Sequence, residues 1–429
     1  MDLVDLPDSH YARTLRERDE YTSLQEAIEV ETAIIGGGLA GCATALDLAE
    51  RGHKVALIEA ALIGWGASGR NGGFVSDGFP GGYPALVERV GLSKARQLHQ
   101  LARLGNKLLR RRIERYGIAC GPIQDGALRC AMAGETKSLA EFCDFMAENF
   151  DTHYTHWPHA RLREALSTDH YGDAFFNPHT YAVQPLDLTR GLARACVRQG
   201  ARIFEKTRAI ALGRRGDRKE VRTETGQILA DRIVVTCGGY VHGLDDRIGG
   251  ATVPIATFVM ATEPLGERLK KAIAVPYAIS DIKFATNYYR PLADGRLLWG
   301  GRVQAWESAP DKLVRALGRD MGSFYPDLAD ARVETAWGGM MPFTRHKLPV
   351  IGQIEPGLWF ATGFGGLGLA LTTTAGRLIA SGIAEGEEGW RLFEEFGLPY
   401  AGGKLGKIPA QLVYWKHQLT AKLGLGRQL

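Results

Sequence analysis

Two glycine-rich turns carry the clearest chemical signal in the chain. The first, Gly36–Gly41, has GxGxxG spacing and follows the apolar run ETAII, which is typical of a turn between a strand and a helix. The first glycine permits a tight bend, the second lets a pyrophosphate approach the backbone, and the third lets helix and strand pack closely. The helix then directs its N–H groups and positive dipole end at the phosphates. An ordinary glycine turn without a ligand is the alternative.

Glu59 supports a nucleotide site, because it ends the next apolar run 23 positions after Gly36. A carboxylate at that place suits a ribose hydroxyl and disfavours a 2′-phosphate. A surface glutamate without a ligand is the alternative. The residues predicted to bind the nucleotide are Gly36, Gly38, Leu39, Ala40, Gly41, Glu59 and Ala60.

The second turn, Gly363–Gly368, stands at the start of the last long helical pattern. Bare backbone at a helix N-terminus suits a delocalised negative charge, such as that of a reduced flavin. Tight packing of helix on sheet is the alternative. Two such turns at opposite ends of one chain suit an extended FAD, with the ring predicted to lie near Gly363, Gly365, Gly366, Leu367 and Gly368.

A third glycine-rich segment, GWGASGRNGG, occupies residues 64–73 and is called the glycine loop below. Glycine costs folding entropy, so such a cluster needs a reason such as close approach of a large ligand. A flat ring could lie against this backbone without meeting Cβ atoms. The polar side chains Ser68, Arg70 and Asn71 are predicted to hydrogen-bond the ring or its linker. The full set of predicted contacts is Gly66, Ala67, Ser68, Arg70, Asn71, Gly72 and Gly73.

The elements that position these motifs follow from apolar periodicity. Strands are predicted at 32–38 and 54–59 around a helix at 39–51, which is a βαβ opening. Helices are predicted at 84–117, 136–149 and 187–200, the last with Asp187 as N-cap. Antiparallel strands are predicted at 253–262 and 284–303, with LADGR as a hairpin turn. The fold class is therefore α/β with α+β insertions: a discontinuous Rossmann-like domain and an inserted mixed β-sheet domain.

Composition limits the function classes. The chain has 429 residues, of which 45% are hydrophobic, which suits a globular protein of two domains. The net charge of +4 is too small to indicate a nucleic-acid partner. The six cysteines show no CxxC spacing, so we expect reduced thiols and a cytoplasmic protein without an integral membrane segment.

Several stretches together resemble the D-amino-acid-oxidase-like flavoproteins, which include glycine and sarcosine oxidases. They run across nearly the whole chain, and the more discriminating ones are SGRNGG and YYR-x3-DGR-x3-GGR. The resemblance is greatest to the γ-glutamylputrescine oxidase branch. It implies an FAD-binding domain of glutathione-reductase type and a β-sheet substrate domain over the ring. It also implies cofactor contacts from Ala209, near the adenine, and from Gly238 in RIVVTCGGY.

This resemblance leads to a prediction of the domain segments. The FAD-binding domain is predicted at 30–85, 185–250 and 335–385. The substrate domain is predicted at 86–184 and 251–334, and a C-terminal helical tail at 386–429.

Two departures from the family pattern bear on substrate and cofactor. Members that oxidise glycine or D-amino acids carry an arginine before the proline of the segment matching WGGMMP, and here that position is Met341. A buried carboxylate without a cation is strongly disfavoured, so an amine without a nearby carboxylate fits better. Arg290 or Arg302 could instead have taken over that role. Sarcosine-oxidase-like members attach flavin through a cysteine in this segment, where we align Gly339, so FAD is expected to be non-covalent.

The predicted function is FAD-dependent oxidation of a primary or secondary amine of polyamine or γ-glutamylated polyamine type, with O2 as acceptor. An apolar wall would keep the amine neutral, and a cation would stabilise charge developing on oxygen. Simple core packing is the alternative for the wall residues, and a solvated lysine for Lys283. Lys347 is a further candidate cation. The predicted catalytic residues are Lys283, Tyr288 and Arg290, and the predicted pocket residues are Tyr289, Trp337, Met340 and Met341.

Two other functions stay open from sequence: a dehydrogenase that uses a quinone or carrier protein, and a flavin-binding subunit without turnover. No metal site is predicted, because Pro158 separates the histidines of HYTHWPH and no second cluster accompanies them. The basic run Arg110–Arg112 is interpreted as the solvated flank of an amphipathic helix. The basic C-terminal tail is expected to dock on its own domain, with a membrane surface, a second copy or a partner subunit as alternatives.

Overall fold

A computed structural model gives the structure of the chain and describes residues 5–241, 243–282, 286–306, 308–403 and 405–422. The strands form two sheets. In chain order they are β1 (Ala27–Ile35), β2 (Val55–Ile58), β3 (Phe74–Val75), β4 (Gln124–Met132), β5 (Thr155–Trp157), β6 (Tyr171–Ala182), β7 (Arg202–Phe204), β8 (Ala209–Arg215), β9 (Arg218–Thr223), β10 (Gln227–Val235), β11 (Thr252–Thr262), β12 (Ala278–Asp281), β13 (Tyr288–Pro291), β14 (Leu297–Gln304), β15 (Val333–Thr344), β16 (Val350–Glu355) and β17 (Leu358–Thr362).

Helices cover both sheets. The α-helices are α1 (His10–Arg13), α2 (Leu39–Glu50), α3 (Tyr83–Tyr116), α4 (Thr136–Phe150), α5 (His159–Ala165), α6 (Pro185–Arg198), α7 (Asp246–Gly250), α8 (Glu267–Ala272), α9 (Pro310–Phe324), α10 (Gly368–Ala384) and α11 (Lys407–Lys422). Short 3-10 turns occur at Ala67–Gly69, Gly238–Tyr240, Pro326–Leu328 and Gly389–Phe396.

The first sheet has the order β16-β17-β10-β1-β2-β7, with β8 and β9 attached beside β10. From β17 to β7 every neighbouring pair on this path is parallel. Parallel strands are buried on both faces, and accordingly the four residues of β2 and the last four of β1 are buried. Helix α2 lies between α6 and α10, and all its residues except the last are buried. The predicted βαβ opening is therefore present.

The second sheet has the order β15-β11-β14-β13-β12-β4-β6-β3, with β5 beside β6. It is mixed, because β12 and β4 run parallel while the other pairs are antiparallel. The predicted LADGR hairpin joins β13 to β14, and its turn is closed by the N–H of Leu292 donating to the carbonyl of Arg296 at 2.8 Å. Helix α9 packs on one face of this sheet, so the opposite face near β15 is left to meet the first sheet.

Three sequence expectations differ from the structure. Helix α6 begins at Pro185 with Gln184 as its N-cap, because the Gln184 side chain accepts from the N–H of Asp187 at 2.7 Å, and Asp187 lies inside the helix. Strand β15 belongs to the second sheet, although most of it falls in the segment 335–385 predicted for the FAD-binding domain. Arg112 is not solvated, because it is buried and paired with the Asp47 carboxylate.

Candidate active site

The segments predicted to bind the cofactor follow four parallel strands of the first sheet. Strands β17, β10, β1 and β2 are neighbours and run in one direction. Their carboxyl ends therefore lie along one edge, where ligands of open α/β sheets bind. The residues that follow these ends are Gly36, Glu59, Thr236 and Gly363.

The GxGxxG turn at this edge is closed by contacts that only glycine allows. Gly36 has φ +110°, and a Cβ on it would lie 2.8 Å from the carbonyl oxygen of Thr236. A Cβ on Gly41 would lie 2.0 Å from the carbonyl oxygen of Gly36. The first and third glycines therefore serve the tight turn and the close packing of α2 that the sequence predicted.

The N-terminus of α2 fits a pyrophosphate. Gly38 precedes the helix without a side-chain cap, and the N–H of Leu39 donates to the Ser68 hydroxyl at 3.0 Å. Within the part of the chain that the structure describes, the N–H groups of Ala40 and Gly41 donate to no protein acceptor. First-turn N–H groups need partners from outside the helix, and phosphate oxygens are suitable ones.

Glu59 stands at the tip of β2 with its carboxylate turned to the same turn. Its Oε2 accepts from the N–H of Gly37 at 2.7 Å, and its Oε1 accepts from the N–H of Ala61 at 2.9 Å, across Ala60. Burial raises the pKa of this carboxyl above its usual value. A carboxylate has about four lone-pair sites, so both oxygens keep capacity for a ribose hydroxyl.

Residues 204–209 bring the chain back to the end of β2, where Glu59 lies. The N–H of Glu59 donates to the carbonyl of Phe204 at 2.9 Å, and the N–H of Thr207 donates to the carbonyl of Glu59 at 2.8 Å. Ala209 then begins β8 two residues later. The structure thus brings the predicted adenine contact Ala209 to the strand end that carries Glu59.

The glycine loop is held together by its own polar side chains. The Asn71 amide donates to the carbonyls of Ala67 and Ser68 at 3.0 Å each and accepts from the N–H of Gly73 at 2.9 Å. Arg70 is buried, donates from Nε to the Trp65 carbonyl at 2.6 Å, and lies over the Trp65 ring. The structure therefore gives Asn71 and Arg70 roles in shaping the loop, whereas the sequence predicted hydrogen bonds from both to the cofactor.

Glycines in this loop also allow close approach of the second sheet. A Cβ on Gly72 would lie 2.7 Å from the ring of Tyr288, and a Cβ on Gly73, which has φ +81°, would lie 2.1 Å from the carbonyl oxygen of Val183. Arg290 secures this junction, since its Nη2 donates to that Val183 carbonyl at 2.8 Å and its Nε to the Gly72 carbonyl at 3.3 Å. On the other side, a Cβ on Gly66 would meet the Tyr240 ring at 3.2 Å.

Strand β15 presents alternate residues to the glycine loop. The Trp337 indole Nε1 donates to the carbonyl of Arg70 at 2.9 Å, and a Cβ on Gly339 would lie 3.3 Å from the Cβ of Arg70. Met341 is the next residue on that face, is partly buried, and pairs with Ile255 of β11. Successive strand side chains point to opposite faces, so Trp337, Gly339 and Met341 form one side of the site.

Two residues predicted to line the pocket lie on the opposite face of the second sheet. Met340 belongs to the core between this sheet and α9. Tyr289 is fully buried in the same core, stacks on Trp299 with ring centroids 4.4 Å apart, and has its hydroxyl 2.8 Å from that of Tyr325. Strand alternation is again the reason, and both residues are therefore corrected to core residues.

Tyr288 lies on the side that meets the glycine loop. Its ring covers Gly72 and packs edge-to-face with Phe74 at 5.9 Å. Its hydroxyl hydrogen-bonds the side chain of Thr257, and burial raises the pKa of Tyr288 to about 12. The phenol is therefore a neutral hydrogen-bonding group at neutral pH. Thr257 was missed by sequence analysis, because nothing in strand β11 distinguishes its two faces.

The predicted cations differ in what they can contact. Arg290 also donates from Nη1 to the Gln124 side chain at 3.0 Å, so all its nitrogens hold protein groups. Arg302 forms a bidentate pair with Asp320 at 2.6 and 2.7 Å. Lys347 is exposed in the turn between β15 and β16. Lys283 lies outside the described residues.

The second glycine turn lies against the end of β15. Gly363 has φ +77°, and a Cβ on it would lie 2.6 Å from Cγ2 of Thr344. Gly365 has φ +52°, and its Cβ would meet the Phe343 ring at 3.0 Å. A Cβ on Gly366, by contrast, would meet no atom within 4 Å. Leu367 then precedes α10, which begins at Gly368 as the sequence predicted.

The turn after β10 completes this edge. Gly238 has φ +55° and lies 4.0 Å, measured from its ideal Cβ, from Pro342 of β15. An ideal Cβ on Gly239 would lie 3.1 Å from the carbonyl oxygen of Met340. The main chain after β1, β2, β10 and β17 therefore lies along one edge of the first sheet, an arrangement that suits a long ligand recognised through backbone.

The family described as FAD dependent oxidoreductase matches residues 31–381. The chain belongs to this family. Its cofactor is accordingly FAD, and the glycine turns, the N-terminus of α2 and Glu59 are the residues that fit it. The protein is therefore an oxidoreductase enzyme.

Among curated relatives, γ-glutamylputrescine oxidoreductase of Escherichia coli is 29% identical over 406 residues, which cover 94% of this chain and 95% of the relative. Glycine oxidase of Geobacillus kaustophilus is 26% identical over 399 residues, 88% of this chain and 98% of the relative. The crystal structure of a glycine oxidase from the same organism has a TM-score of 0.71 at 24% identity and covers 84% of this chain and 95% of that one. That structure supports the fold, with its FAD-binding and second domains.

Among the described residues, no cluster of three His, Cys, Asp or Glu side chains could hold a metal ion. His156 of the HYTHWPH segment instead lies 2.8 Å from the Asp173 carboxylate. No described helix is both long enough and apolar enough to cross a bilayer.

Proposed function

We propose that this FAD-dependent oxidoreductase deaminates a primary or secondary amine of polyamine or γ-glutamylated polyamine type. The products are an aldehyde and ammonia, or a shorter amine where the substrate is secondary. O2 takes the two electrons and two protons and is released as H2O2, and one water supplies the aldehyde oxygen. FAD, when bound, accepts the hydride equivalent from the α-carbon of the amine.

The observation that carries the proposal is Met341 on the site-facing side of β15. A substrate carboxylate placed there would lose water and gain no cation, which costs several kcal/mol. The two arginines that could replace that cation are engaged elsewhere, Arg290 with main-chain carbonyls and Gln124, and Arg302 with Asp320. The site therefore favours an amine whose acid group, if any, lies far from the reacting carbon.

The residues around Met341 suit a neutral amine. Met341 provides an apolar wall, whereas Trp337, also predicted for it, is buried against Tyr11. An apolar environment lowers the pKa of an amine and so favours its reactive neutral form. The hydroxyl of Tyr288, which stays protonated at neutral pH, can orient the nitrogen through a hydrogen bond. The E. coli relative, by its name, acts on γ-glutamylputrescine, an amine with a remote carboxylate, and this supports the same class.

FAD is proposed to be held without a covalent bond, because Gly339 occupies the position at which sarcosine-oxidase-like members carry the attaching cysteine. Denaturation with acid should therefore release the yellow chromophore into the supernatant. Colour that stays with the precipitated protein would contradict this part of the proposal.

The deciding experiment is anaerobic addition of single substrates to the purified holoenzyme. We expect putrescine, longer polyamines or their γ-glutamyl derivatives to bleach the oxidised flavin band, and D-alanine and glycine to leave it unchanged. Bleaching by the amino acids alone would reject the substrate proposal. In air, one H2O2 per aldehyde is expected. Reduction by amines without peroxide, but with rapid reoxidation by a quinone, would replace the oxidase by a dehydrogenase.

A further inference from the structure

The last described helix, α11, is fixed to the second sheet through one face. The Gln411 side chain accepts from the N–H of Ala305 at 2.9 Å, and the Tyr414 hydroxyl accepts from the N–H of Val303 at 3.4 Å. Both side chains are buried. The helix therefore has a defined orientation on the end of β14, and its opposite face is directed to solvent.

Beside the docked face, α11 carries a row of exposed apolar side chains. Ile408, Leu412 and Trp415 are 55%, 57% and 55% exposed. Their spacing of four and three residues places them in one row along the helix. A surface helix normally turns its apolar row to the core, whereas this row of α11 is exposed.

Neighbouring residues extend this row into one surface. Leu405, just before the helix, and Val413 within it are exposed, and Trp306 lies exposed beyond the end of β14. Trp306 and Trp415 border a groove of about 250 Å³ together with Arg302. We call the set the tail surface, and its members are Leu405, Ile408, Leu412, Val413, Trp415 and Trp306. The other large apolar side chains that are exposed among the described residues are Leu104, Val197, Ile210, Tyr240 and Tyr400.

The segment that contains α11 carries positively charged residues and no negatively charged ones. Residues 401–429 contain five of the 52 lysines and arginines and none of the 48 aspartates and glutamates. The remaining 400 residues are therefore close to neutral, at −1, and the positive net charge of the chain comes from this segment. Exposed tryptophan and leucine beside lysines, without acids, is the composition of helices that lie in the interface of a bilayer.

We propose that the tail surface docks the protein, reversibly and without spanning, on a membrane surface of anionic phospholipids. The positive charges of this segment would be attracted to the lipid phosphate groups, while Trp415, Leu412 and Ile408 enter the boundary between headgroups and acyl chains. A symmetric pairing of two copies through this surface is less suited, because it brings two segments with five positive charges each face to face. The inference is independent of the substrate proposed above.

Sedimentation of the holoenzyme with vesicles tests the proposal. Vesicles of equal parts phosphatidylglycerol and phosphatidylcholine should carry the protein down, and vesicles of phosphatidylcholine alone should not. Binding should fall with added salt. The double variant Leu412→Glu/Trp415→Glu should bind at least about ten-fold more weakly. The control Leu104→Glu/Val197→Glu changes two apolar residues of similar exposure on α3 and α6 and should bind like the unaltered protein.

The melting temperature and flavin content of both double variants are measured first, so that loss of binding is not confused with unfolding. Equal binding of the tail-surface variant and the unaltered protein would overturn the proposal, and so would equal binding to both kinds of vesicle. A dimer in light scattering that becomes a monomer in the Leu412→Glu/Trp415→Glu variant, with no vesicle binding, would assign the surface to a second copy instead.

Discussion

Tyr288 and Tyr289 are adjacent in the chain and lie on opposite faces of the second sheet. The Tyr288 ring covers Gly72 of the glycine loop, whereas the Tyr289 hydroxyl lies 2.8 Å from that of Tyr325 in the core under α9. Two substitutions that each remove one phenolic oxygen therefore separate the chemistry of the site from the stability of the domain.

We expect Tyr288→Phe to lower the rate of flavin reduction on the order of ten-fold, the effect of one lost hydrogen bond of about 1.4 kcal/mol. FAD content should stay close to that of the unaltered protein, and the melting temperature should fall less than in Tyr289→Phe, because Thr257 keeps the Arg302 carbonyl as a partner at 3.4 Å. Because the pKa of Tyr288 is about 12, no inflection of the rate between pH 6 and 9 should disappear with the hydroxyl. Stopped-flow absorbance with saturating amine provides the measurement.

Tyr289→Phe is the matched control and should do the reverse. It leaves the buried Tyr325 hydroxyl short of one partner, which costs about 1–3 kcal/mol of unfolding free energy. The melting temperature should fall while the rate of flavin reduction per bound FAD is retained. If flavin reduction is slower in Tyr289→Phe and unchanged in Tyr288→Phe, then Tyr289 belongs to the site and Tyr288 to the core, which reverses their assignment.

Gly366→Leu tests whether the flavin lies at the second glycine turn. The space around a Cβ at this position is free of protein atoms within 4 Å, so the substituted protein should fold with an unchanged melting temperature when FAD has been removed. Its FAD dissociation constant, measured by flavin fluorescence, should rise at least about ten-fold, since a large side chain would occupy the ligand space.

Gly318→Ala is a suitable control for Gly366→Leu, because a Cβ there makes only an ordinary contact of 3.6 Å inside α9. It should stabilise that helix by about 0.5–1 kcal/mol and leave FAD binding unchanged. Unchanged FAD affinity in Gly366→Leu would mean that the ring lies away from this turn.

Met341→Arg should transfer part of the substrate preference to amino acids. A guanidinium on the site-facing side of β15 would offer a bidentate partner to an α-carboxylate. Anaerobic bleaching by D-alanine or glycine should appear. The kcat/KM for the polyamine should fall by at least about ten-fold, because the introduced guanidinium repels a substrate that carries positively charged amino groups. Met341→Leu keeps size and polarity and should retain the amine preference. If Met341→Arg leaves amino acids unreactive, the substrate carboxylate is selected elsewhere.

His346 predicts a loss of stability in mild acid. It lies in the turn after β15, where its Nδ1 accepts from the N–H of Leu348 at 3.1 Å. Burial, together with the charge of Arg89, lowers the pKa of His346 from 6.5 to about 4. As the pH falls, His346 is therefore protonated near pH 6.5 in the unfolded chain but only near pH 4 in the folded protein. The contribution of His346 to the free energy of unfolding is therefore fully present above pH 6.5 and declines as the pH falls toward 4.

The corresponding experiment compares melting temperatures at pH 7.5 and pH 5. His346→Asn preserves an acceptor for the Leu348 N–H and removes the titrating ring, so the difference between the two pH values should shrink. His153→Asn alters an exposed imidazole and should leave the difference as it is. An equal difference in all three proteins would show that other groups govern the acid sensitivity.

The nucleotide half of the site was predictable because it is local. Gly36, Gly41 and Glu59 belong to one continuous strand–turn–helix–strand unit, in which spacing alone decides the geometry. The roles of Asn71 and Arg70 were not predictable, since a loop side chain can bond either to a ligand or to its own backbone. Only the folded loop distinguishes the two possibilities.

Which residues of the second sheet lie on which face could not be predicted from sequence, for a different physical reason. A shift of one residue in strand register exchanges the two faces, and the register here depends on a bulge of β14 at Arg302, which has φ +56° opposite Thr257 and Phe258. Sequence analysis predicted site roles for all of Tyr288, Tyr289, Met340 and Met341, and it could not separate Met340 and Tyr289, which lie in the core under α9, from Met341 and Tyr288 on the other face. The burial of Tyr11 beside Trp337 was also missed, because the polar N-terminal segment gives little apolar signal.

The order of strands in the first sheet has a consequence for biosynthesis. The turn at Gly36 is synthesised before β10 and β17, which complete the edge beside it and follow about 190 and 320 residues later. A nascent chain that has folded its opening βαβ unit therefore holds only one end of the cleft. We expect flavin loading to wait until β17 has been made, and the rate at which newly made enzyme becomes yellow should be set by closure of this last parallel strand.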